Sequence, residues 1–399
     1  MSHKTSRWAL PAGIDELLPE QTRKIEQLRA LLLSRFDVAG YDLVIPPLVE
    51  FVDSLLVGAG EALTLDTLKM TDGLTGRQLG LRADMTPQIA RIDAHSMKSE
   101  AERRLCYIGT VVRARPDGLG GSRTPMQTGA ELYGVAEVEG DLEIIMLMLD
   151  VLQAAGLTQM VLDLGHVDLF RELAAGVGLS DSDEDMLRDA LQRKAASEMD
   201  ELLSGMNLAP EYRQGLLALC RLHGEWASTL VEAEVLLRPV LTGAMKQALE
   251  RLRTIAQLIE QRFPSVTVLV DLSELHGYHY QTGLVFAAYV EGLGRDIARG
   301  GRYDDIGQAF GRARPATGFS TDLRDLLRFF TQDEPAACAI YAPARYDNEA
   351  LMSEVTRLRG LGRRVIMTNR PLSESEARLV PGTEATQNLW QLMGDTNHG

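Results

Sequence analysis

The sequence is poor in cysteine, in aromatic residues and in positive charge. Its 399 residues include three cysteines (Cys106, Cys220 and Cys338), which lie far apart in no C-x-x-C pair. Disulfides and a structural zinc site are therefore not expected, and a reducing cytoplasm is favoured. The formal net charge of −15 argues against nucleic acid as a partner, because proteins that bind phosphate backbones concentrate Lys and Arg.

Long apolar runs are also absent from the sequence. The most apolar stretch, LEIIMLMLDVLQAAGL, is short and contains Glu143 and Asp150, so no membrane span is expected. The N-terminal MSHKTSRWALPAG has no apolar core typical of a secretory signal. With 45% hydrophobic and 24% charged residues, the composition is that of a soluble globular protein. The length predicts two or three domains.

Hydrophobic periodicity predicts an α+β chain. A helical stripe that ends near Gly40 precedes YDLVIPPLVEF, which is predicted to be a strand at an edge or interface. LCYIGTVVRAR and MQTGAELYGVAEV predict two antiparallel strands around a Gly-rich loop. GDLEIIMLMLDVLQAAG predicts a buried helix.

The second half of the chain predicts a helical insertion and a short tail. Residues 170–263 are helical in pattern and are bounded by strand-like segments, which indicates an insertion within a core spanning residues 1–330. GFSTDLRDLLRFF predicts a closing helix of that core. Residues 331–399 predict a β–α–β-like tail.

Three arginines occupy the loop from Arg113 to Arg123, with Arg115 between them and glycines close by. Arginine forks bind phosphate or carboxylate oxygens in pairs, and glycines let backbone N–H groups approach an anion. The alternative is a hairpin loop with solvated charges. The sequence pattern by itself favours the hairpin.

Two pairs of polar residues have even spacing, which places both members on one face of a strand. Gln127 and Glu131 form one pair, and Asp84 and Thr86 form the other. Acids and amides that converge from several strands can bind a small amino acid, although a half-solvated sheet face has the same pattern. The glycines of ARGGRYDD permit either close approach to a ligand or a β-bulge.

The stretch LHGYHYQTGLVF contains His276 and His279. No third ligand stands at a suitable spacing, which disfavours a metal site. A proton-transfer pair is equally disfavoured, because no nucleophile or substrate group accompanies it.

Taken in order, the segments LPAGIDELLPE, YDLVIPPLVEF, LGLRADMTPQIAR, YIGTVVRARPDG, MQTGAELYG, ELHGYHYQTG, ARGGRYDDIG and RPATGFSTDLRDLL resemble the catalytic core of class II histidyl-tRNA synthetase. The resemblance covers roughly residues 8–330. It implies a mainly antiparallel sheet flanked by helices, with a helical insertion, and a dimer formed through the region of Pro46 and Pro47.

The resemblance implies a histidine pocket and part of a nucleotide site. The pocket residues that it assigns are Asp84, Thr86, Gln127, Glu131 and Tyr303. Asp84 stands where the family usually has Glu. Arg113 matches the arginine that contacts the α-phosphate of ATP.

Other positions depart from the synthetase pattern. His276 replaces the catalytic arginine, His279 replaces an aspartate and Gln281 replaces a pocket tyrosine. Asp325 stands where class II synthetases carry the arginine that binds the γ-phosphate, and Arg115 replaces an acidic residue. Adenylation requires fixed cations around the developing charge, and neutral imidazole does not replace a guanidinium. ATP activation is therefore not expected.

The segment beyond Glu334 is also too short for the full anticodon-binding domain of the synthetases. This combination resembles the regulatory subunit family of ATP phosphoribosyltransferase. The resemblance implies a non-catalytic chain without a cofactor, which dimerises within a hetero-octamer with the short-form catalytic subunit. It would be required for the activity of that subunit and would mediate inhibition by histidine in the first step of histidine biosynthesis.

Two alternatives remain, a truncated synthetase-like ligase that activates histidine or a related amino acid, and an amino-acid sensor without an enzyme partner. Whether histidine binds in the synthetase-like pocket, at a subunit interface or in both places is left open.

Overall fold

The computed structural model describes residues 8–57, 61–116, 121–275, 277–278, 280–331, 339–373, 376–381 and 390–393. The chain divides into two compact units, Met1–Phe330 and Thr331–Gly399. Among the residues described, no helix is both long and apolar enough to cross a bilayer.

A nine-stranded sheet forms the centre of the first unit. The strands of this unit are β1 (Asp42–Leu43), β2 (Val49–Phe51), β3 (Lys69–Thr71), β4 (Gln78–Leu81), β5 (Arg103–Thr110), β6 (Met126–Tyr133), β7 (Met160–His166), β8 (His223–Glu225), β9 (Val266–Asp271), β10 (Leu284–Tyr289), β11 (Asp296–Arg302) and β12 (Ala316–Asp322). The order in the large sheet is β1-β5-β6-β12-β11-β10-β7-β9-β8, while β2-β4-β3 form a small separate sheet. Among the described strands of the large sheet, only β1/β5 and β7/β9 pair in parallel. The predicted mainly antiparallel sheet is confirmed.

The helices of the first unit are α1 (Pro19–Val38), α2 (Val52–Leu55), α3 (Glu61–Asp66), α4 (Thr86–Arg91), α5 (Val138–Ala154), α6 (Asp168–Val177), α7 (Asp181–Gln192), α8 (Ala196–Ser204), α9 (Pro210–Leu219), α10 (Trp226–Leu236), α11 (Gly243–Arg262) and α12 (Leu323–Leu326). A helical stripe on α1, including Leu28 and Leu32, packs in one core cluster with α5 and with Ala130 and Leu132 of β6. Because side chains alternate across a strand, the odd-numbered residues of β6 face the other side of the sheet.

A helical insertion, defined here as α6 to α11, lies between β7 and β9 in the chain. The starts of α7, α9 and α11 carry the expected N-terminal signals. The Ser180 and Thr242 hydroxyls accept hydrogen bonds from the backbone N–H groups of Asp183 and Met245, each at 3.2 Å. Pro210 is the first residue of α9. These local caps fix where the helices begin.

The prediction of one strand over YDLVIPPLVEF was wrong. The segment is divided into β1, at the edge of the large sheet, and β2, in the small sheet. Pro46 and Pro47 lie between them and have no N–H group to donate to a strand ladder. Their carbonyls accept hydrogen bonds from side chains instead, from Arg82 Nη1 at 2.7 Å and Gln88 Nε2 at 2.8 Å.

The prediction of a helix over GFSTDLRDLLRFF was wrong in its first part. Residues 318–322 belong to β12, which pairs with both β6 and β11. The buried Phe319 ring packs 6.3 Å from that of Phe36 on α1. Pairing on two edges outweighs the local helical pattern, and only α12 and the turn after it remain helical.

The second unit has its own small core. Its elements are β13 (Ile340–Pro343), α13 (Glu349–Gly360), β14 (Val365–Thr368), β15 (Arg378–Pro381) and β16 (Trp390–Met393). β13 and β14 are parallel and α13 connects them. Leu351 and Val355 of α13 are fully buried against Ile340 and Val365 of the strands.

Candidate functional site

Glu131 is the centre of a buried hydrogen-bond network on the sheet face opposite α1. Glu131 is 1% exposed, and its Oε1 accepts a hydrogen bond from Tyr107 Oη at 2.9 Å. Its Oε2 accepts another from Tyr303 Oη. Burial, and then the nearby Asp84, raise the pKa of Glu131 well above its usual value, since both disfavour the negative charge. The Tyr107 hydrogen bond opposes that rise.

Asp84 and Thr86 join this network from the start of α4. Asp84 Oδ1 accepts hydrogen bonds from the Thr86 N–H at 2.9 Å and from Gln127 Nε2 at 2.8 Å. Gln127 Oε1 accepts one from the Met85 N–H at 2.9 Å. The prediction that Asp84 and Thr86 lie on one face of a strand was wrong, because the chain leaves β4 before Asp84 and turns into α4. An aspartate that accepts the N–H two residues ahead stabilises such a turn.

The structure thus brings together all five residues that the resemblance assigned to the pocket. Thr86 Oγ1 lies 3.3 Å from Tyr107 Oη, which connects the Asp84 group to the Glu131 group. Gln127 and Glu131 lie on the same face of β6, as their spacing predicts. Their roles toward a ligand stay predictions.

Glycines form the floor beside Glu131. Gly318 pairs directly with Glu131 on one side and with Gly301 on the other. A Cβ atom at Gly318 would overlap the Glu131 carboxylate and approach the Tyr303 hydroxyl. A Cβ at Gly301 would lie 2.5 Å from Gln281 Oε1. The absence of side chains at Gly318 and Gly301 makes room for the Glu131 carboxylate and for the Gln281 side chain.

Gln281 closes the other side of this glycine floor. It is 6% exposed, and within the described part of the chain its Oε1 accepts no hydrogen bond. An unsatisfied buried carbonyl oxygen costs free energy, so this atom is suited to accept an N–H group of a ligand. His276 and His279 lie outside the described residues.

The arginines of the loop are fixed by different partners. Arg113 forms an isolated β-bridge with Thr67, and its N–H donates to the Arg123 carbonyl at 2.8 Å. Arg123 Nε donates to the Arg113 carbonyl at 3.0 Å. Arg115 forms an ion pair with Asp66 at 3.1 Å. These contacts stabilise the loop and the strands next to it. The phosphate contact of Arg113 stays a prediction.

Asp325 is a buried carboxylate on α12. It is 4% exposed and forms an ion pair with Arg295, while Arg328 Nη2 lies 3.8 Å from its Oδ1. Where the resemblance expects a cation for the γ-phosphate, the chain therefore has an anion that binds two arginines of its own.

A second concave region lies on the same sheet face, toward β9. Lys194 from the helical insertion forms an ion pair with Asp271 at 2.6 Å in a cavity of about 380 Å³. Burial, and then Asp271 and Glu274, raise the pKa of Asp163 in this cavity to about 7. Over the described ranges, no three His, Cys, Asp or Glu side chains are arranged to hold a metal ion.

Sequence reasoning missed Tyr107, Gly318 and Arg295. Tyr107 lies opposite Gly129 in the predicted hairpin, so correct strand register would have placed its ring beside Glu131. Gly318 was assigned to a helix, which hid its pairing. No local pattern connects Arg295 with Asp325, because only the fold brings them together.

Comparison with known proteins adds family information to this geometry. The family described as Histidyl-tRNA synthetase matches residues 13–326. A chain of Thioalkalivibrio sulfidiphilus named "ATP phosphoribosyltransferase regulatory subunit" is 52% identical over 366 residues, which cover 91% of each chain. A chain of the same name from Alkalilimnicola ehrlichii is 49% identical over 365 residues, covering 91% of this chain and 90% of that one.

A solved structure gives the same result for the fold. The crystal structure from Bacillus halodurans titled "ATP phosphoribosyltransferase regulatory subunit/histidyl-tRNA synthetase" superimposes with a TM-score of 0.79 at 28% identity. The match covers 91% of this chain and 93% of that chain. Sequence and structure comparisons therefore agree over nearly the whole length.

Proposed function

The chain belongs to the ATP phosphoribosyltransferase regulatory subunits, a family with the class II histidyl-tRNA synthetase fold, and on this premise we propose that it mediates inhibition by histidine. In this proposal it assembles with the short-form catalytic subunit, which requires it for the first step of L-histidine biosynthesis. The chain is the non-catalytic partner, in agreement with the name its relatives share. The family resemblance predicted from the ordered motifs is confirmed.

The observation that carries the histidine proposal is the Glu131 pocket. Histidine offers an α-ammonium group and two imidazole nitrogens, and it needs carboxylate and carbonyl acceptors. Glu131 and Asp84 supply carboxylates, and Gln281 supplies an unsatisfied carbonyl oxygen on the other side of the glycine floor. A few buried polar groups that converge on one place are typical of small-molecule sites.

Charge at the nucleotide side supports a regulatory role. A triphosphate needs cations that remain available to it, yet Arg295 is already paired with the buried Asp325. A ligand that binds without being activated can act only by favouring one state of the assembly.

The assembly proposal includes a dimer through the Pro46 region, within a hetero-octamer. Exposed apolar side chains surround these prolines, with Ile45 79% exposed and Leu43 and Leu48 more than two-fifths exposed. The two-residue β1 is the edge of the large sheet. Exposed apolar side chains grouped at a sheet edge favour a protein interface. We also infer a cytoplasmic location, supported by the described cysteines, Cys106 and Cys220, which are both free.

Reconstitution tests the proposal directly. The purified chain is mixed with a short-form ATP phosphoribosyltransferase, and complex formation, activity and histidine inhibition are measured. We expect a stable complex that is more active than the catalytic subunit alone and is inhibited by histidine. Absence of both complex and activation contradicts the proposal. Histidine-dependent ATP–pyrophosphate exchange by the chain alone would favour the truncated-ligase alternative.

Replacing Glu131 separates ligand binding from assembly. Glu131→Ala removes the acceptor at the centre of the pocket, so we expect histidine affinity in calorimetric titration to fall by about 10- to 100-fold. Complex formation with the catalytic subunit should persist. Glu143→Ala is the matched control, because Glu143 also accepts a tyrosine hydroxyl, that of Tyr41 at 2.8 Å, but lies on α5. Unchanged affinity in Glu131→Ala would place the effector site elsewhere.

A further inference from the structure

The segment between β9 and β10, which carries Gln281, is held by the helical insertion. Tyr278 is 8% exposed, and its Oη donates a hydrogen bond to Glu184 Oε1 of α7 at 2.6 Å. Its ring packs edge-on against Phe170 of α6, with ring centroids 5.6 Å apart and planes at 71°. Burial, and then Glu184, raise the pKa of Tyr278, so the hydroxyl remains a donor at neutral pH.

Arg171 of α6 is a second contact between the insertion and this segment. Its Nη2 donates to the Gln281 carbonyl oxygen at 2.9 Å, and its Nη1 donates to Asp168 Oδ1 at 2.9 Å. The guanidinium also lies 5.2 Å from the centroid of the Tyr278 ring. The planar fork of arginine therefore connects Tyr278 with Gln281 in one fixed arrangement.

The backbone and the side chain of Gln281 contact different parts of the molecule. Its backbone carbonyl accepts a hydrogen bond from Arg171, while its side chain lies over Gly301, and Oε1 accepts no hydrogen bond from the residues that the structure describes. The backbone N–H groups of Tyr280 and Gln281 both donate to the Gly277 carbonyl, at 2.9 and 2.8 Å. Gln281 follows Tyr278 by only three positions, so a change in the position of Tyr278 is expected to reach Gln281.

These contacts have a consequence for regulation. A hydrogen bond to a charged group contributes a free energy of the same order as the coupling between two sites, which typically changes affinity by about 5- to 150-fold. A shift of α6 or α7 would therefore move the Gln281 acceptor relative to Glu131. By reciprocity, a ligand that binds Gln281 would favour one position of the helices.

We propose that Tyr278 and Arg171 are positioning residues, which set the place of Gln281 in the pocket and so couple the ligand to the helical insertion. This inference rests on the proposed function, since histidine is the ligand used to test it. It assigns to the insertion a role in sensing that is additional to any role in assembly.

A double-mutant cycle with L-histidine tests this coupling. Calorimetric titrations compare the full-length chain with Tyr278→Phe, Gln281→Ala and the double variant. Tyr278→Phe keeps the ring on Phe170 and loses only the hydroxyl, so we expect histidine affinity to fall about 5-fold. In the Gln281→Ala background the same change should have almost no effect, because Tyr278 acts through Gln281.

Two further variants serve as controls. One removes the same hydrogen bond at its other partner, and the other removes a similar hydrogen bond elsewhere. Glu184→Ala removes the same hydrogen bond from the side of the insertion and should reproduce the effect of Tyr278→Phe. Tyr41→Phe removes a buried tyrosine–glutamate hydrogen bond at Glu143, and it should leave histidine affinity unchanged. Equal losses from Tyr278→Phe in both backgrounds, or no loss in either, would overturn the proposal.

Hydrogen exchange of the ligand-free chain separates this inference from the proposed function. Tyr278→Phe should speed exchange at the amides of Tyr280 and Gln281, whereas Tyr41→Phe should not. If the unaltered chain does not bind histidine, the proposed ligand is wrong, and the exchange result decides on positioning. Unchanged exchange at these two amides would overturn the proposal whatever the ligand.

Discussion

Glu131 and Asp325 are both buried carboxylates of the same unit, but their partners differ. Glu131 receives hydrogen bonds from two tyrosine hydroxyls, and burial raises its pKa. Asp325 is paired with the guanidinium of Arg295. A tyrosine hydroxyl carries no positive charge that could balance an ionised carboxylate, whereas an arginine does. A cationic ligand would supply the balancing charge that Glu131 lacks, whereas Asp325 already has it within the chain.

This difference corresponds to the two halves of a synthetase-like site. In the proposed amino-acid half, Glu131 lies over glycines and its described partners are neutral tyrosine hydroxyls. The nucleotide half has an internal ion pair where a triphosphate would need free cations. This contrast supports the proposal that the chain binds histidine without activating it.

Filling the glycine floor should produce the largest effect. Gly318→Ala places a methyl group against the Glu131 carboxylate and the Tyr303 hydroxyl, so we expect histidine affinity in calorimetric titration to fall by roughly 100-fold. Gly243→Ala is the matched control, because nothing lies within 4 Å of a Cβ there. If Gly318→Ala remains folded by circular dichroism and binds histidine normally, the ligand does not occupy this space.

Breaking the Asp325 ion pair should affect stability and not binding. Asp325→Asn leaves Arg295 without its anion, and we expect the free energy of unfolding to fall by about 2 kcal/mol, an intermediate value because the Arg295 side chain is 37% exposed. Denaturant unfolding monitors the loss, and calorimetric titration checks that histidine affinity is retained. A loss of affinity as large as that of Glu131→Ala would remove the distinction between the two carboxylates.

The smallest expected effect is a pH dependence. The folded-state pKa of Glu131 is above its usual 4.5, so the folded chain keeps a proton that the unfolded chain releases. The stability from this neutral form is complete below pH 4.5 and is lost as pH rises toward the raised pKa. The side chain in Glu131→Gln cannot ionise. The melting temperature of this variant, relative to that of the unaltered chain, should therefore rise as the pH increases from 5 to 8. A constant difference over this range would show that Glu131 is ionised in the folded chain.

Several local features could be predicted from particular residues. The even spacing of Gln127 and Glu131 placed both on one face of β6, and the apolar pattern of residues 138–154 predicted a buried helix. The ordered motifs predicted the family. Predictions failed at residues 318–322, where pairing on both edges overrides a helix-like pattern, and at Asp84 and Thr86, where the chain turns into α4.

The sequence by itself determined the elements whose signals lie within a few neighbouring residues, namely periodicity, caps and prolines. It also determined the chemistry of the pocket through the identity of its acids and amides. Only the tertiary structure decided which of these groups meet. Tyr303 reaches Glu131, Arg295 reaches Asp325 and Tyr278 reaches Glu184 across long chain separations. Strand order and the position of the insertion determine such contacts. The contacts depend on packing between segments that are distant in the sequence, and no local sequence pattern predicts that packing.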